Sequence, residues 1–305
     1  MSRKPGRTVS PSRLLRRALA PLAAVVIGVS LASAPAAAEP VETTASYQHY
    51  VSLGDSFVAG PLIREETVQP RMPLLGCMRT SNNYPTMLAQ RLGVAEFTDA
   101  SCSGAVINDF YEPQFRDTLP QFDALTPETD LVTVGIAGND FGFSEILVEC
   151  AKRSLTNPLG SPCANYYGDE LDNRIENLRP AVSQVYADIA ERSPNATVLA
   201  VGYLQLMPES RGCWPSTPIA RGDVAYLDQA QTALNAMIAE EAEAQGAIFV
   251  DVFKRGHDVC KSSSVRWVEG LIPANGAPVH PNYRGMVATA DFVGARLGLP
   301  VNDAA

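Results

Sequence analysis

Short apolar runs alternate with longer stretches of helical periodicity along this chain, and that alternation constrains its fold more than any other feature. Gln48–Gly54 (QHYVSLG), Asp130–Ile136 (DLVTVGI) and Ala196–Gly202 (ATVLAVG) read as buried strands. Glu96–Ala100 and Ala247–Val250 are shorter strand candidates. Between them lie helical segments at Asn83–Leu92, Asp169–Ser193, Asp223–Gln245 and Tyr283–Leu297. Pro180 either kinks the second of these or starts a new helix, and Gly246 suits the C-terminal cap of the third. Strands separated by helices imply a mostly parallel sheet covered on both faces, with ligands held at the carboxyl ends of the strands. Residues 61–82, 144–168 and 205–222 read as long loops rich in Pro, Gly and Cys.

The 305 residues suffice for one large domain or two small ones, and 46% hydrophobic content supplies a core. The net charge of −9 argues against a general nucleic-acid binder, which needs a basic face. Charge is also uneven. Arg3, Lys4, Arg7, Arg13, Arg16 and Arg17 precede an uncharged stretch from Ala18 to Ala38, which ends in Ala34-Pro35-Ala36-Ala37-Ala38. Basic start, apolar middle and small-residue end are the parts of a secretory signal, so residues 1–38 are expected to be a cleaved signal peptide and 39–305 a single exported domain. An uncleaved anchor is disfavoured by the Pro- and Ala-rich end and the lack of a basic stop. No second apolar run of that length follows, so no integral membrane segment is expected after signal removal; a monomer is expected.

Six cysteines, at 77, 102, 150, 163, 213 and 260, lie in the exported part. An even count in an exported chain suggests disulfides, although sequence alone admits many pairings. Sequential pairing (Cys77–Cys102, Cys150–Cys163, Cys213–Cys260) is preferred because each bridge closes an irregular segment. With no CxxC pair and three histidines, no metal is expected.

The chemistry concentrates at strand ends. Gly54-Asp55-Ser56-Phe57 follows the first strand, where a turn lets the Ser56 hydroxyl point out of the sheet edge and its N–H face a developing oxyanion. Ser101-Cys102-Ser103-Gly104-Ala105 follows the second strand and Gly138-Asn139-Asp140 the third. A Gly backbone N–H and an Asn amide are the donors that acyl transfer needs. His280, in His280-Pro281-Asn282 before the last helix, can take the Ser56 proton and return it. His49 lies at the far end of its strand from the nucleophile; His257 and Asp258 read as loop residues; Asp55 and Asp140 read as holding their turns by hydrogen bonds.

This ordered set resembles the SGNH hydrolases, also called GDSL lipases and esterases, from about Tyr47 to Leu299. The resemblance implies an α/β fold: a three-layer α/β/α sandwich, flavodoxin-like, with a five-stranded parallel sheet. It implies Ser56 as nucleophile, His280 as general base, an oxyanion hole of Ser56, Gly104 and Asn139, and no cofactor. The cysteine pattern is similar to that of secreted actinobacterial members, in keeping with sequential pairing. Two positions depart from the family. Many members carry Asp three residues before the His, where this chain has Ala277. The actinobacterial branch often uses a main-chain carbonyl, which by analogy is that of Pro278. Ala137 stands where members often have Gly, a change the turn is expected to survive.

The expected function is a secreted serine ester hydrolase, a lipase or carboxylesterase, working through an acyl-enzyme on lipid or other small carboxylic esters. A carbohydrate O-acetyl esterase and a non-catalytic extracellular binding protein are the alternatives. Pro61, Leu62, Met72, Pro73, Leu74 and Leu75 are equally suited to line an acyl groove or to pack under a disulfide.

Overall fold

β1 (His49–Gly54) and β3 (Leu131–Gly135) form the centre of a parallel sheet in this computed structural model, which describes residues 46–64 and 76–300. The proposed signal segment and the Met72–Leu75 part of the suggested groove lie outside the described residues. All the elements belong to the unit Thr43–Ala305.

The sheet has five strands in the order β2-β1-β3-β4-β5, where β2 is Glu96–Asp99, β4 Thr197–Val201 and β5 Ile248–Val250. Every neighbouring pair is parallel. Leu53 pairs with Val134 and Gly54 with Gly135, so β1 and β3 end level with each other. All five residues of β3 are buried, whereas the edge strand β2 alternates between exposed and half-buried. This is the pattern of a sheet covered on both faces and open at its margins.

The helices are α1 (Ser56–Ala59), α2 (Tyr84–Leu92), α3 (Gly138–Phe141), α4 (Phe143–Ser154), α5 (Pro162–Tyr167), α6 (Glu170–Arg192), α7 (Val224–Ala244) and α8 (Tyr283–Arg296). α2 packs along α8, and α6 along α7, and the helices flank the sheet as an α/β/α sandwich. Asn83 caps α2 by accepting the Thr86 N–H at 3.1 Å, and Asn282 caps α8 by accepting the Gly285 N–H at 3.0 Å. Pro180 does not start a new helix: α6 runs on through it. The proline sits on the exposed face of the helix.

The segment 144–168 departs from the loop expected of it: most of it is α4 and α5. Cys150–Cys163 ties these two helices together, Cys77–Cys102 ties the segment before α2 to the turn after β2, and Cys213–Cys260 joins the loop after β4 to the one after β5.

From β1 the chain moves outward to β2, then returns to place β3 on the other side of β1. The strand order therefore reverses between β1 and β3. In an open parallel sheet the crevice at the carboxyl ends of two such strands is where ligands bind.

Candidate active site

Both chain segments that leave this crevice carry polar groups singled out from the sequence. β1 ends at Gly54, whose φ is +143°, and a Cβ there would stand 2.4 Å from the Gly135 carbonyl oxygen. Only glycine lets β1 turn so close to β3. Asp55 then caps α1, its Oδ1 accepting the Phe57 N–H at 2.8 Å, and Ser56 becomes the first residue of that helix.

Ser56 Oγ lies 2.8 Å from His280 Nε2, and His280 Nδ1 lies 2.8 Å from the Pro278 carbonyl oxygen. A carbonyl only accepts, so Nδ1 carries the proton and Nε2 is left to accept from the serine hydroxyl. Burial pushes the His280 pKa below its ordinary value, while the Pro278 carbonyl pulls it partly back. The imidazole is therefore a neutral base at neutral pH. The place of the missing aspartate, Ala277, is buried, and its N–H donates to the Pro61 carbonyl at 3.0 Å.

The loop that carries His280 is held by Glu269. Glu269 N–H donates to the His280 carbonyl at 2.8 Å, and Val279 N–H donates to the Glu269 carbonyl at 3.1 Å. The Glu269 carboxylate, almost wholly buried, pairs with Arg266 and accepts from the Ala274 N–H at 2.9 Å and from Asn282 Nδ2 at 3.2 Å. That support holds Val279, a β-branched residue, at φ +60° immediately before His280.

The other wall is built from the ends of β2 and β3. Asn139 Nδ2 donates to the Ala105 carbonyl at 2.8 Å, which commits one amide hydrogen and leaves the second for the cleft that Asn139 borders. Asp140 accepts the Ile107 N–H at 3.1 Å. The turn Cys102–Ala105 closes by a 3.0 Å bond from Ala105 N–H to the Cys102 carbonyl, and Ser103 N–H donates to the Cys77 carbonyl at 2.9 Å. Gly104 sits within this tethered turn at φ +82°. It does not itself line the cleft, but Asn139 is bonded to its neighbour Ala105.

Ala137 keeps the turn before Asn139 but holds φ +95°, fully buried. An L-residue there is strained by about 1 kcal/mol relative to glycine. Ala137→Gly is therefore expected to raise stability by less than that amount, since greater freedom of the unfolded chain offsets part of the relieved strain; urea unfolding measures it.

Ser56, Asn139, Pro278 and His280 all border one cleft of ≈ 280 Å³. Its remaining wall is mostly apolar. Phe143, Leu147 and Ala151 come from α4, Leu206 follows β4, and Leu271 precedes the His280 loop. The three α4 residues recur every fourth position and so form one stripe. Pro61 and Leu62 do not line it. Sequence reading missed this wall because it took the segment for a loop. The remaining histidines stand apart: His49 faces Glu96 at 3.3 Å, and His257 stacks on Trp267 at 3.9 Å. Asp258 accepts the Cys260 N–H at 2.9 Å.

A serine hydroxyl on a neutral imidazole, at the N-terminus of a short helix and beside an amide donor, is an arrangement for acyl transfer. The model of the GDSL-like Lipase/Acylhydrolase family matches residues 52–288. The chain belongs to that family. It is similar to Lipase 2 of Streptomyces coelicolor, 37% identical over 95% of this chain and 99% of that one. Two solved structures share its fold at 25% identity: the extracellular lipase of Streptomyces rimosus, with a TM-score of 0.67 over 81% of this chain and 99% of that one, and phospholipase A1 of Streptomyces albidoflavus NA297, with 0.66 over 82% and 99%. This GDSL protein is a carboxylic ester hydrolase. Among the described residues no helix is long and apolar enough to cross a membrane.

Proposed function

We propose that this GDSL enzyme is a secreted lipase or carboxylesterase in which Ser56 attacks the ester carbonyl while His280 Nε2 takes its proton. The observation that carries this reading is the unbroken chain Ser56 Oγ–His280–Pro278 carbonyl at the mouth of an apolar cleft. The tetrahedral oxyanion is held by the N–H groups of Ser56 and Gly104 and the amide of Asn139. His280 then protonates the leaving alcohol, and water releases the acid from the acyl-enzyme by the same steps in reverse order. Pro278 fixes the imidazole's tautomer in place of a carboxylate. The basic-then-apolar N-terminus and the three bridges support export to an oxidising compartment.

Phe143, Leu147, Ala151, Leu206 and Leu271 favour an acyl chain over a sugar, whose hydroxyls need polar partners. The cleft holds roughly ten groups of water or methylene size at about 30 Å³ each, which points to medium-chain esters. The test is hydrolysis of p-nitrophenyl esters from acetyl to palmitoyl, with Ser56→Ala as control. A rise in kcat/KM from acetyl to octanoyl supports the reading; acetyl alone being cleaved overturns the acyl assignment. Ala151→Phe, which fills the stripe on α4, is expected to lower the octanoyl-to-butyryl ratio of kcat/KM by at least ~10-fold, since each lost methylene contact is worth about 0.8 kcal/mol.

A further inference from the structure

Tyr203 stands two residues beyond β4, at the carboxyl edge of the sheet, and borders the same cleft while being 2% exposed. Its backbone is gripped from both sides by one side chain of α7: Asn235 Oδ1 accepts the Tyr203 N–H at 2.9 Å, and Asn235 Nδ2 donates to the Tyr203 carbonyl at 2.9 Å. Its ring makes edge contacts with the rings of Phe57 and Phe143, at centroid distances of 5.1 and 6.1 Å. With backbone and ring both fixed, the hydroxyl has a single position. There it donates to Asp55 Oδ2 at 2.6 Å and accepts the Gly138 N–H at 2.7 Å. A Cβ on Gly138 would stand 2.8 Å from this oxygen, so the approach requires glycine. Asp55 directly precedes Ser56, and Gly138 directly precedes Asn139. One hydroxyl thus bridges the turn of the nucleophile and the turn of the amide donor.

We propose that Tyr203 is a positioning residue that, through Asp55 and Gly138, fixes the Ser56 turn against the Asn139 turn and so sets the geometry in which the oxyanion forms. This rests on the roles given above to Ser56 and Asn139. A backbone N–H only donates, so the Tyr203 proton must point at Asp55, and the bridge is complete when Asp55 is an anion. Protonating Asp55 removes the charge that strengthens the bond from Tyr203 and so loosens the link. The ionisable groups facing Asp55 are Tyr203, Asp140 on α3, Tyr84 on α2 and, across Ser56, His280. Burial raises the Asp55 pKa to about 7; the Tyr203 hydroxyl and the Phe57 N–H oppose the rise, and Asp140 adds to it. His280 is shifted the other way, below its ordinary value. As pH falls, Asp55 therefore takes up its proton first and His280 second. Activity declines in two steps, the upper one belonging to Asp55.

The experiment is kcat and KM for p-nitrophenyl butyrate over about pH 5 to 9, with Tyr203→Phe, Asp55→Asn and Ser56→Ala, and thermal unfolding of each. Tyr203→Phe keeps the ring and removes one hydroxyl. It is expected to lower kcat by about 10- to 100-fold with KM within about twofold, the loss that slight misplacement of reacting groups produces. It also removes a bond that favours ionised Asp55, so the upper acid step moves to higher pH. Asp55→Asn is expected to lose that step and keep the His280 step. A Tyr203→Phe enzyme with kcat within about twofold of the parent, or with lower kcat and an unmoved upper step, overturns the proposal, the latter marking a merely structural role. Should Tyr203→Phe fail to fold, an upper acid step retained in Asp55→Asn overturns it equally. Activity persisting in Ser56→Ala would instead sink the assignment of the site itself.

Discussion

Ser56→Ala is expected to lower kcat for p-nitrophenyl esters by about 10⁵-fold, and His280→Ala by a similar factor. The double variant is expected to be no slower than the worse of the two. Ser56 Oγ has His280 Nε2 at 2.8 Å, and among the described residues no other nitrogen base borders the cleft. Without the base the hydroxyl is a weak nucleophile, and without the hydroxyl the base has nothing to deprotonate but water. The two act as one device, so the second loss removes little that the first left. The residual rate is the contribution of the oxyanion donors and of substrate binding, which neither change touches. Ser56 is small, at a helix N-terminus whose cap is Asp55 rather than its own side chain, so Ser56→Ala is expected to leave the unfolding temperature within a few degrees. Labelling by a fluorophosphonate reads the same point directly: the parent reacts, Ser56→Ala does not, and His280→Ala reacts slowly. Ser56→Ala activity within tenfold of the parent would sink the assignment.

The strands were legible because sheets buried on both faces demand unbroken apolar runs. LVTVG of β3 is wholly buried, and its short length and β-branched content fit a central strand. Ser56, Asn139 and His280 were legible because each follows or precedes an element whose end is marked in the sequence: Gly54 at the end of β1, Ala137-Gly138 after β3, and the Asn282 cap before α8. α4 was not. Its apolar residues Phe143, Ile146, Leu147 and Cys150 keep helical spacing, but Gly142 before it and the Cys, Pro and Gly after it read as loop chemistry. A disulfide to α5 supplies a constraint that local propensity does not contain. Tyr203 was missed for a different reason. Its partner Asp55 is 148 positions away, and the hydrogen bond exists only because β1 and β4 end on the same sheet edge. Glu269 likewise looks like any surface acid until the His280 loop folds over it. Residues that act alone at a strand end are visible in a sequence; those that hold two strand ends together are visible only once the topology is known.

Asn139→Ala is expected to lower kcat by about 10²- to 10³-fold while leaving KM within about threefold. One of its amide hydrogens goes to the Ala105 carbonyl at 2.8 Å, and that bond orients the group rather than serving the reaction. The other faces the cleft. The ester carbonyl of the bound substrate is a weak acceptor that water or the Ser56 N–H satisfies well enough, so binding changes little. Negative charge builds on that oxygen only as Ser56 attacks, and there a preoriented N–H is worth most because it need not reorganise. The loss therefore falls on kcat. Asn139→Asp is the sharper variant. It keeps the shape, removes both donors, leaves the Ala105 carbonyl without its partner, and sets a carboxylate beside the developing oxyanion when ionised. It is expected to be slower than Asn139→Ala where the carboxyl is ionised, the gap between the two narrowing as it takes up a proton and has one O–H to offer either Ala105 or the oxyanion, while protonation of His280 lowers both. A loss confined to KM, or Asn139→Asp matching Asn139→Ala at every pH, would place the amide outside the transition state and leave Ser56 and Gly104 as the only donors.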